Sequence, residues 1–217
     1  MCIRDRVTLA PELDGAPEAI AALTARGVTV ALGHSAASPG VVDAAVAAGA
    51  RLVTHLFNGM PAFHHREPGL AGAALTDDRL AVSLIADLVH VHPVALLLAF
   101  RAKGPSRIAL VSDAVAVDAP DLRELGARFD GAAPRLPDGT LAGSALTMDR
   151  AVANLVRHAG VTLADAVRAA STTPADLVGA ADRGRIAPGC RADLVALDAD
   201  LGVVTTWIGG EPVEPRQ

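Results

Sequence analysis

The sequence predicts an α/β fold built around a parallel sheet. Short apolar runs rich in β-branched residues alternate with alanine-rich helical stretches, at roughly 20 to 30 residues per unit. The runs do not alternate apolar with polar residues, which is typical of strands covered by helices on both faces. This rhythm predicts strands joined by right-handed helical crossovers.

The elements follow in order, and turn residues end most of the runs. Strands are predicted at 7–10, 28–32, 51–53, 80–86 and 108–111, with helices at about 17–26, 38–49 and 93–103 between them. After Asp113 the rhythm changes, and Asp-Gly pairs at 130–131 and 138–139 predict a hairpin or extended excursion over 129–141. Helices are expected again at about 147–158, 162–170 and 174–179. Strands at 194–197 and 203–208 then predict a small C-terminal β element.

Composition excludes several classes of protein. The 217 residues are 51% apolar and 20% charged, enough to fill a sizeable core and too apolar for a disordered chain. The net charge of −5 offers no basic face to nucleic acid, and no apolar run approaches the ~20 residues of a membrane span. With only two cysteines there is no disulfide framework, so a reducing compartment, the cytoplasm, is expected.

Polar residues cluster where predicted strands end. His34, His55, Asp113 and either Asp87 or His90 lie at or just past these ends. The carboxyl ends of the strands carry the active site in a (β/α) barrel, but ligands bind there in an open doubly wound sheet as well. Both folds remain open on this ground. The lack of a Gly-x-Gly-x-x-Gly or Walker loop disfavours a nucleotide-binding version.

His34 and His55 are the sharpest candidates for chemistry, because they end consecutive strands. Imidazole nitrogens suit zinc or ferrous iron, and two from neighbouring strands would make half of a metal site. The alternative is a helix-capping histidine and an unrelated core histidine. Asp113, buried at a strand end, would be a candidate acid/base, or simply an N-cap.

Four further positions and one segment are weighed in the same way. Glu12 is a possible third ligand but fits a loop carboxylate better, and His90 is expected to line the site while His92 is merely exposed. Arg66 would grip an anionic group or pair with Glu67 at the surface. Residues 141–144 would present backbone N–H groups or simply lead into a helix.

Several segments together resemble one family. They are Gly33-His34-Ser35, Thr-His-Leu-Phe-Asn-Gly-Met-Pro at 54–61, Arg-Glu-Pro-Gly-Leu-Ala-Gly at 66–72, Leu-Val-Ser-Asp-Ala at 110–114, Gly-Thr-Leu-Ala-Gly-Ser at 139–144 and the tail around 184–194. In this order they resemble the N-acetylglucosamine-6-phosphate deacetylases of the amidohydrolase superfamily, which are metal-dependent TIM-barrel hydrolases. The 54–61 and 66–72 segments are specific to the deacetylases, whereas the tail is shared across the superfamily.

The resemblance implies a role for each matching position. His34 and His55 become ligands of a divalent metal, zinc or iron, Asp113 becomes the catalytic acid/base, and Glu12 becomes a rim residue. The amino-sugar phosphate site would be lined by Asn58, Gly59, Arg66, His90, Leu141, Ala142 and Gly143, with Arg66 reaching across the interface of a homodimer. Metal-activated water would attack the acetamide, and Asp113 would move the proton to the leaving amine, giving acetate and glucosamine 6-phosphate.

Two positions depart from the family pattern. Gly59 stands where the family usually has Ala, a change that backbone-mediated contacts should survive. Leu88 stands where the family usually has Gly, and would alter the loop before His90 if that backbone needs positive φ.

The resemblance also implies that part of the family's chain has no match here. Nothing matches the family's first three barrel strands or its metal-binding Glu, so we expect a partial TIM barrel: a non-native start at 1–6, barrel strands 4–8 with their helices at 7–182, and a C-terminal β element of the small sandwich domain at 183–217. We therefore expect weak metal retention and little turnover for the purified chain. The alternatives are an amidohydrolase acting on a cyclic amide, a phosphosugar-binding fragment without chemistry, or a fragment without folded function.

Overall fold

The fold, obtained as a computed structural model, consists of a parallel sheet with its helices and a separate small β element. The structure describes residues 6–116, 122 and 124–213. The first part comprises β1 (Arg6–Leu9), α1 (Ala16–Thr24), β2 (Thr29–Leu32), α2 (Pro39–Ala48), β3 (Leu52–Val53), α3 (Gly69–Thr76), β4 (Ala81–Leu84), α4 (Pro93–Lys103), a 3-10 turn (Pro105–Arg107) and β5 (Ile108–Leu110). The second comprises β6 (Arg128–Phe129), β7 (Pro134–Arg135), α5 (Met148–His158), α6 (Leu163–Ala170), α7 (Thr172–Leu177), β8 (Leu194–Leu197), β9 (Val203–Ile208) and β10 (Glu211–Val213).

The strand order decides between the two folds that the sequence left open. The main sheet runs β1-β2-β3-β4-β5, and every neighbouring pair is parallel. An open doubly wound sheet reverses its strand order at a switch point, whereas a (β/α) barrel adds each strand beside the previous one. The order observed is that of a barrel. All five carboxyl ends therefore meet at one rim.

The core lies between this sheet and its helices. The fully buried side chains include Ile20 of α1, Leu32 of β2, Leu70 of α3, Leu84 of β4 and Leu96 of α4. Prolines at the starts of α1, α2 and α4 suit the first turn of a helix, where an N–H has no intrahelical partner. Helices α1 to α4 thus pack against one face of the sheet and leave the rim to the loops.

Most sequence-predicted elements lie within one to three residues of those observed, and one helix was not predicted. Residues between His55 and β4 were expected to be a loop rich in Pro and Gly, but α3 occupies Gly69–Thr76. Its sequence, GLAGAALT, opens on glycine directly after Pro68 and has no side-chain cap, so no start signal marks it. Burial of Leu70, Ala71 and Ala74 stabilises this helix instead.

The C-terminal β element is a three-stranded antiparallel sheet in the order β10-β9-β8. The predicted hairpin is also present, with β6 and β7 antiparallel. Among the residues described, no helix has both the length and the apolar character needed to cross a membrane.

Candidate active site

His34 and His55 meet at the rim of the sheet. Their Nε2 atoms lie 2.9 Å apart, and the two rings are nearly perpendicular with centroids 4.7 Å apart. Each follows the end of its strand in a left-handed conformation, with φ of 51° at His34 and 32° at His55. This conformation turns each chain away from the sheet, so the two imidazoles converge above the ends of β2 and β3.

The pair fits two positions of a divalent-metal site. Ligand nitrogens on a tetrahedral zinc ion lie about 3.3 Å apart, close to the separation observed. Burial lowers the pKa of His55, the neighbouring His34 lowers it further, and the Asp113 carboxylate acts in the opposite direction. The net effect favours the neutral imidazole, which is the form that binds metal.

The chain's own groups at the rim do not complete such a site. Within the described part of the chain, no cluster of three or more His, Cys, Asp or Glu residues is arranged to hold a metal ion. The Nδ1 atom of His55 is buried and has no hydrogen-bond partner among the protein groups described. The two imidazoles offer two ligand nitrogens, the Nε2 atoms that meet at the rim, and a stable centre requires further ligands.

Glu12 fixes the loop that carries His34. Glu12 lies in the loop between β1 and α1. Its carboxylate accepts a hydrogen bond of 2.6 Å from the Ser35 hydroxyl and one of 2.8 Å from the Ala36 N–H. The Ser35 N–H in turn donates to the Gly59 carbonyl at 3.0 Å. The two oxygens of Glu12 thus bind the side chain of Ser35 and the backbone of Ala36, next to His34, consistent with a loop carboxylate at the rim.

Asp113 follows β5, as predicted, but is exposed, and the expectation of a buried carboxylate is wrong. The sheet ends at Leu110, and the chain beyond it pairs instead with residues near Ser144, whose N–H donates to the Asp113 carbonyl at 2.8 Å. The Ser144 hydroxyl also donates to the Ser112 carbonyl. These contacts fix the backbone of Asp113 at the rim. Its carboxylate is exposed to solvent and still acts through its charge on the His55 imidazole.

The segment 141–143 lies against Asp113. A Cβ on Gly143 would be 3.0 Å from the Asp113 carbonyl oxygen and 2.6 Å from a methyl group of Val115. The Ala142 N–H donates to the Pro134 carbonyl, which ties the segment to the hairpin. Leu141, Ala142 and Gly143 are therefore brought to the rim beside the backbone of Asp113, as a site-lining segment would be.

Asp87 and His90 form a buried pair after β4. Asp87 Oδ2 accepts from His90 Nδ1 at 2.6 Å, and Oδ1 accepts from the backbone N–H groups of Val89 and His90. Burial alone would raise the pKa of Asp87, but these hydrogen bonds lower it overall. The carboxylate is thus ionised and fixes the His90 tautomer, which leaves Nε2 free to meet a ligand.

Leu88 has φ of 68° between these two residues. The sequence predicted that replacing the family's glycine would matter if this backbone needs positive φ, and the backbone does adopt it. A leucine there costs about 1–2 kcal/mol relative to right-handed backbone. The Asp87–His90 hydrogen bonds span the strained residue and hold the loop together.

Asn58 and Arg66 occupy the long loop after β3. Asn58 Nδ2 lies 3.3 Å from the carbonyl oxygens of His55 and Leu56, so it closes its own turn next to the histidine pair. Arg66 is exposed, and its Nη1 lies 3.0 Å from His65 Nε2. Among the described residues no hydrogen bond joins Arg66 to His34 or His55, and its place in the site stays a prediction.

Two hydroxyl residues at the site were not predicted. Ser83 in β4 contacts the His55 backbone, and Ser35 contacts Glu12. Ser83 has a signal in the sequence, since it is the one polar residue in the apolar run 80–86. Ser35 directly follows His34 in a turn, where serine is too common to stand out.

Comparison with known proteins identifies a family model and several relatives that match the chain. A family model described as "Amidohydrolase family" matches residues 7–213. The chain is 45% identical over 211 residues to an N-acetylgalactosamine-6-phosphate deacetylase of Escherichia coli O157:H7, covering 94% of this chain and 56% of that protein. It is 42% identical to an N-acetylglucosamine-6-phosphate deacetylase of Bos taurus, and this match covers 95% of this chain and 53% of that protein.

The fold has a close counterpart among solved structures. A mutant N-acetyl-D-glucosamine-6-phosphate deacetylase from Mycobacterium smegmatis, in complex with N-acetyl-D-glucosamine-6-phosphate, superposes with a TM-score of 0.85 at 37% identity. The match covers 96% of this chain and 57% of that one. The chain thus spans about half the length of the curated relatives it matches.

Proposed function

The chain belongs to the amidohydrolase family, and on that basis we propose that this protein hydrolyses the acetamide of N-acetylglucosamine 6-phosphate to glucosamine 6-phosphate and acetate. The family is generally metal-dependent. The observation that carries the proposal is the convergence of His34 and His55 at 2.9 Å on the rim that also bears Asp113. The similarity to proteins named as deacetylases of this substrate and its galacto epimer supports it.

His34 and His55 would hold a divalent ion, zinc or iron. When bound, such an ion polarises the acetamide carbonyl and lowers the pKa of a coordinated water toward ~7. Zinc and ferrous iron both accept imidazole nitrogen, so the two histidines suit either one.

Asp113 would act as the acid/base. Its carboxylate takes a proton from the attacking water as the new C–O bond forms, and delivers that proton to the amine nitrogen as the C–N bond breaks. The exposure of Asp113 and its fixed backbone suit a group that must reach a bound substrate. A carboxylate serves both steps because it can accept a proton from one atom and donate it to another without moving far.

The remaining candidates would bind the sugar and its phosphate. We assign Arg66 and His90 to the phosphate. Arg66 would bind it by its guanidinium, and His90 would donate to a phosphate oxygen through an N–H at Nε2, the ring nitrogen that Asp87 leaves free. Asn58, Gly59 and residues 141–143 would contact the sugar, largely through backbone groups. Arg66 would reach the phosphate across the interface of a homodimer, a role that its exposure in the loop after β3 allows.

The domain assignment and location follow from the same proposal. Residues 7–182 would supply barrel strands 4–8 and their helices, and 183–217 the β element of a small sandwich domain. A phosphorylated sugar substrate and the scarcity of cysteine suit the cytoplasm.

The test is an acetate-release assay with the purified protein at saturating zinc or ferrous iron. We expect slow release of acetate and primary amine in equal amounts from N-acetylglucosamine 6-phosphate, and much less from the unphosphorylated sugar. Asp113→Asn should lower kcat by about 10²–10⁴-fold, and Arg66→Ala should mainly raise KM.

Two results would overturn the proposal. One is a metal-loaded protein that neither releases acetate nor binds the phosphosugar in a calorimetric titration. The other is turnover that survives Asp113→Asn unchanged. The galacto epimer, run in parallel, reports the selectivity of the site.

A further inference from the structure

Ser83 is a fully buried hydroxyl in the strand next to His55. It is the third residue of β4, and it has no exposed surface. All four residues of this strand are buried, and the other three are apolar. A hydroxyl in such a place costs free energy unless it is hydrogen-bonded.

The hydrogen bonds of Ser83 go to the chain around His55. Its Oγ accepts from the His55 N–H at 2.7 Å and lies 3.5 Å from the Val53 carbonyl oxygen, toward which it can donate. Its backbone carbonyl accepts from the Leu56 N–H at 2.8 Å. One residue of β4 thus contacts three of the four residues in 53–56.

The reason for this arrangement is the early end of β3. The ladder between β3 and β4 stops at Val53 and Val82, and the chain beyond it turns through His55 with φ of 32°. The His55 N–H therefore leaves the ladder and needs another acceptor in a buried place. Ser83 Oγ supplies that acceptor, and a strained residue persists only where its surroundings fix it in this way.

We propose that Ser83 is a positioning residue, whose hydroxyl fixes the His55 backbone so that the imidazole meets that of His34 above the strand ends. This inference rests on the proposed function, because it assigns Ser83 to the metal-binding pair. Groups that orient a metal ligand typically change metal affinity by 10–100-fold when they are removed. The effect of Ser83 would reach the ion only through His55.

The experiment titrates zinc into the purified protein by calorimetry. Zinc binding that is lost in His55→Ala identifies the ion bound at the pair, and Ser83→Ala should weaken this binding tenfold or more. Thr173→Val is the matched control, because Thr173 is also buried and its hydroxyl donates to the Pro105 carbonyl at 2.9 Å away from the site. The control should leave zinc affinity unchanged.

A second measurement needs no metal. The imidazole ¹⁵N signals of His55 report its contact with His34, in which one Nε2 donates and the other accepts. These signals should be the same in the wild type and in Thr173→Val, and should change in Ser83→Ala because the imidazole is no longer held against His34. Should Ser83→Ala fail to fold, Ser83→Cys, whose sulfur accepts only weakly, takes its place with the same expected direction.

The outcomes separate the inference from the proposed function. Unchanged ¹⁵N signals in Ser83→Ala, unchanged zinc affinity, or equal losses in Ser83→Ala and Thr173→Val would overturn the positioning role. A wild type that binds no zinc would count against the metal-dependent function, while the ¹⁵N signals would still decide whether Ser83 fixes His55.

Discussion

The carboxylate of Glu12 accepts a 2.6 Å hydrogen bond from the hydroxyl of Ser35. This bond joins the loop between β1 and α1 to the residue after His34. Glu12 is mostly exposed, whereas Ser35 is buried. A surface carboxylate thus fixes a buried turn. The backbone at His34 depends on this contact because its left-handed conformation is disfavoured for a histidine.

Glu12→Ala should lower the free energy of unfolding by about 1–3 kcal/mol, since it removes hydrogen bonds to a charged acceptor and leaves a buried hydroxyl without it. Chemical denaturation at neutral pH measures the change. Asp14→Ala, in the same loop, is the control and should change stability by less than about 0.5 kcal/mol. Equal effects of the two substitutions would contradict the role given to Glu12.

The stabilisation from Glu12 should depend on pH. Burial alone would raise the pKa of this carboxyl, but hydrogen bonds from Ser35 and from backbone N–H groups lower it below its ordinary 4.5. A lowered pKa in the folded state means that the stabilisation is present above pH 4.5 and is lost as pH falls through the lower folded value. The stability difference between wild type and Glu12→Ala should therefore shrink on acidification below pH 4.5. A difference that stays constant from pH 7 to pH 3 would exclude this linkage.

Gly59→Ala should disturb His34. Gly59 has φ of 60°, and an added Cβ would lie 3.0 Å from His34 Nδ1, so the imidazole would have to move by a few tenths of an ångström. Gly27→Ala is the control, because its φ is 75° and nothing lies within 4 Å of the added atom. Both variants should lose about 1 kcal/mol from backbone strain, but only Gly59→Ala should shift the ¹⁵N signals of the His34 imidazole. Identical His34 spectra in the two variants would show that the space beside Gly59 is not limiting.

Gly143→Ala should displace the segment that carries Asp113. Its φ is 84°, and the added Cβ would overlap a Val115 methyl group at 2.6 Å while it presses on the Asp113 carbonyl. The variant should lose stability by about 1–3 kcal/mol and should lower kcat more than it changes KM. Gly139→Ala, with φ of 89° and open space around it, tests the backbone effect alone. If Gly143→Ala is as active as Gly139→Ala, Gly143 does not determine the position of Asp113.

Asp87→Asn should weaken phosphosugar binding through His90. The amide keeps the shape of the carboxylate but not its charge, so it no longer forms a charge-assisted hydrogen bond with the His90 ring. We expect a loss of stability of about 1–3 kcal/mol and a higher KM for the phosphorylated substrate. Asp165→Asn, at the exposed start of a helix, is the control. An unchanged KM in Asp87→Asn would argue against a role for His90 in binding the phosphate.

The sequence predicted the fold well where local patterns determine structure. Pro93 and Gly104 bracket α4, and its predicted bounds match those observed. The barrel order could not be predicted from the same patterns, since the carboxyl ends of strands carry ligands in both candidate folds. It depends on long-range pairing such as Val82 with Ile108.

The sequence allowed a prediction of which residues form the candidate site, but less of how they are arranged. His34 and His55 end adjacent strands, and that placement sufficed to bring them together. The exposure of Asp113 was not predictable, because a position at a strand end does not determine burial. The backbone contact of Asp113 with the distant Ser144 could not be predicted either, since the two residues are far apart in the chain. The hydroxyls of Ser83 and Ser35 were missed because their role is set by backbone conformation, which residue types alone do not reveal.

The sequential strand order also has a consequence for how the chain brings its two histidines together. His34 and His55 are only 21 residues apart, and Ser83 follows His55 by 28, so each contact closes a loop of moderate length. Short loops close quickly and at modest entropic cost. The imidazole pair can therefore assemble from β2, β3 and β4 as soon as these emerge, ahead of the more distant segment near residue 144 that fixes the backbone of Asp113.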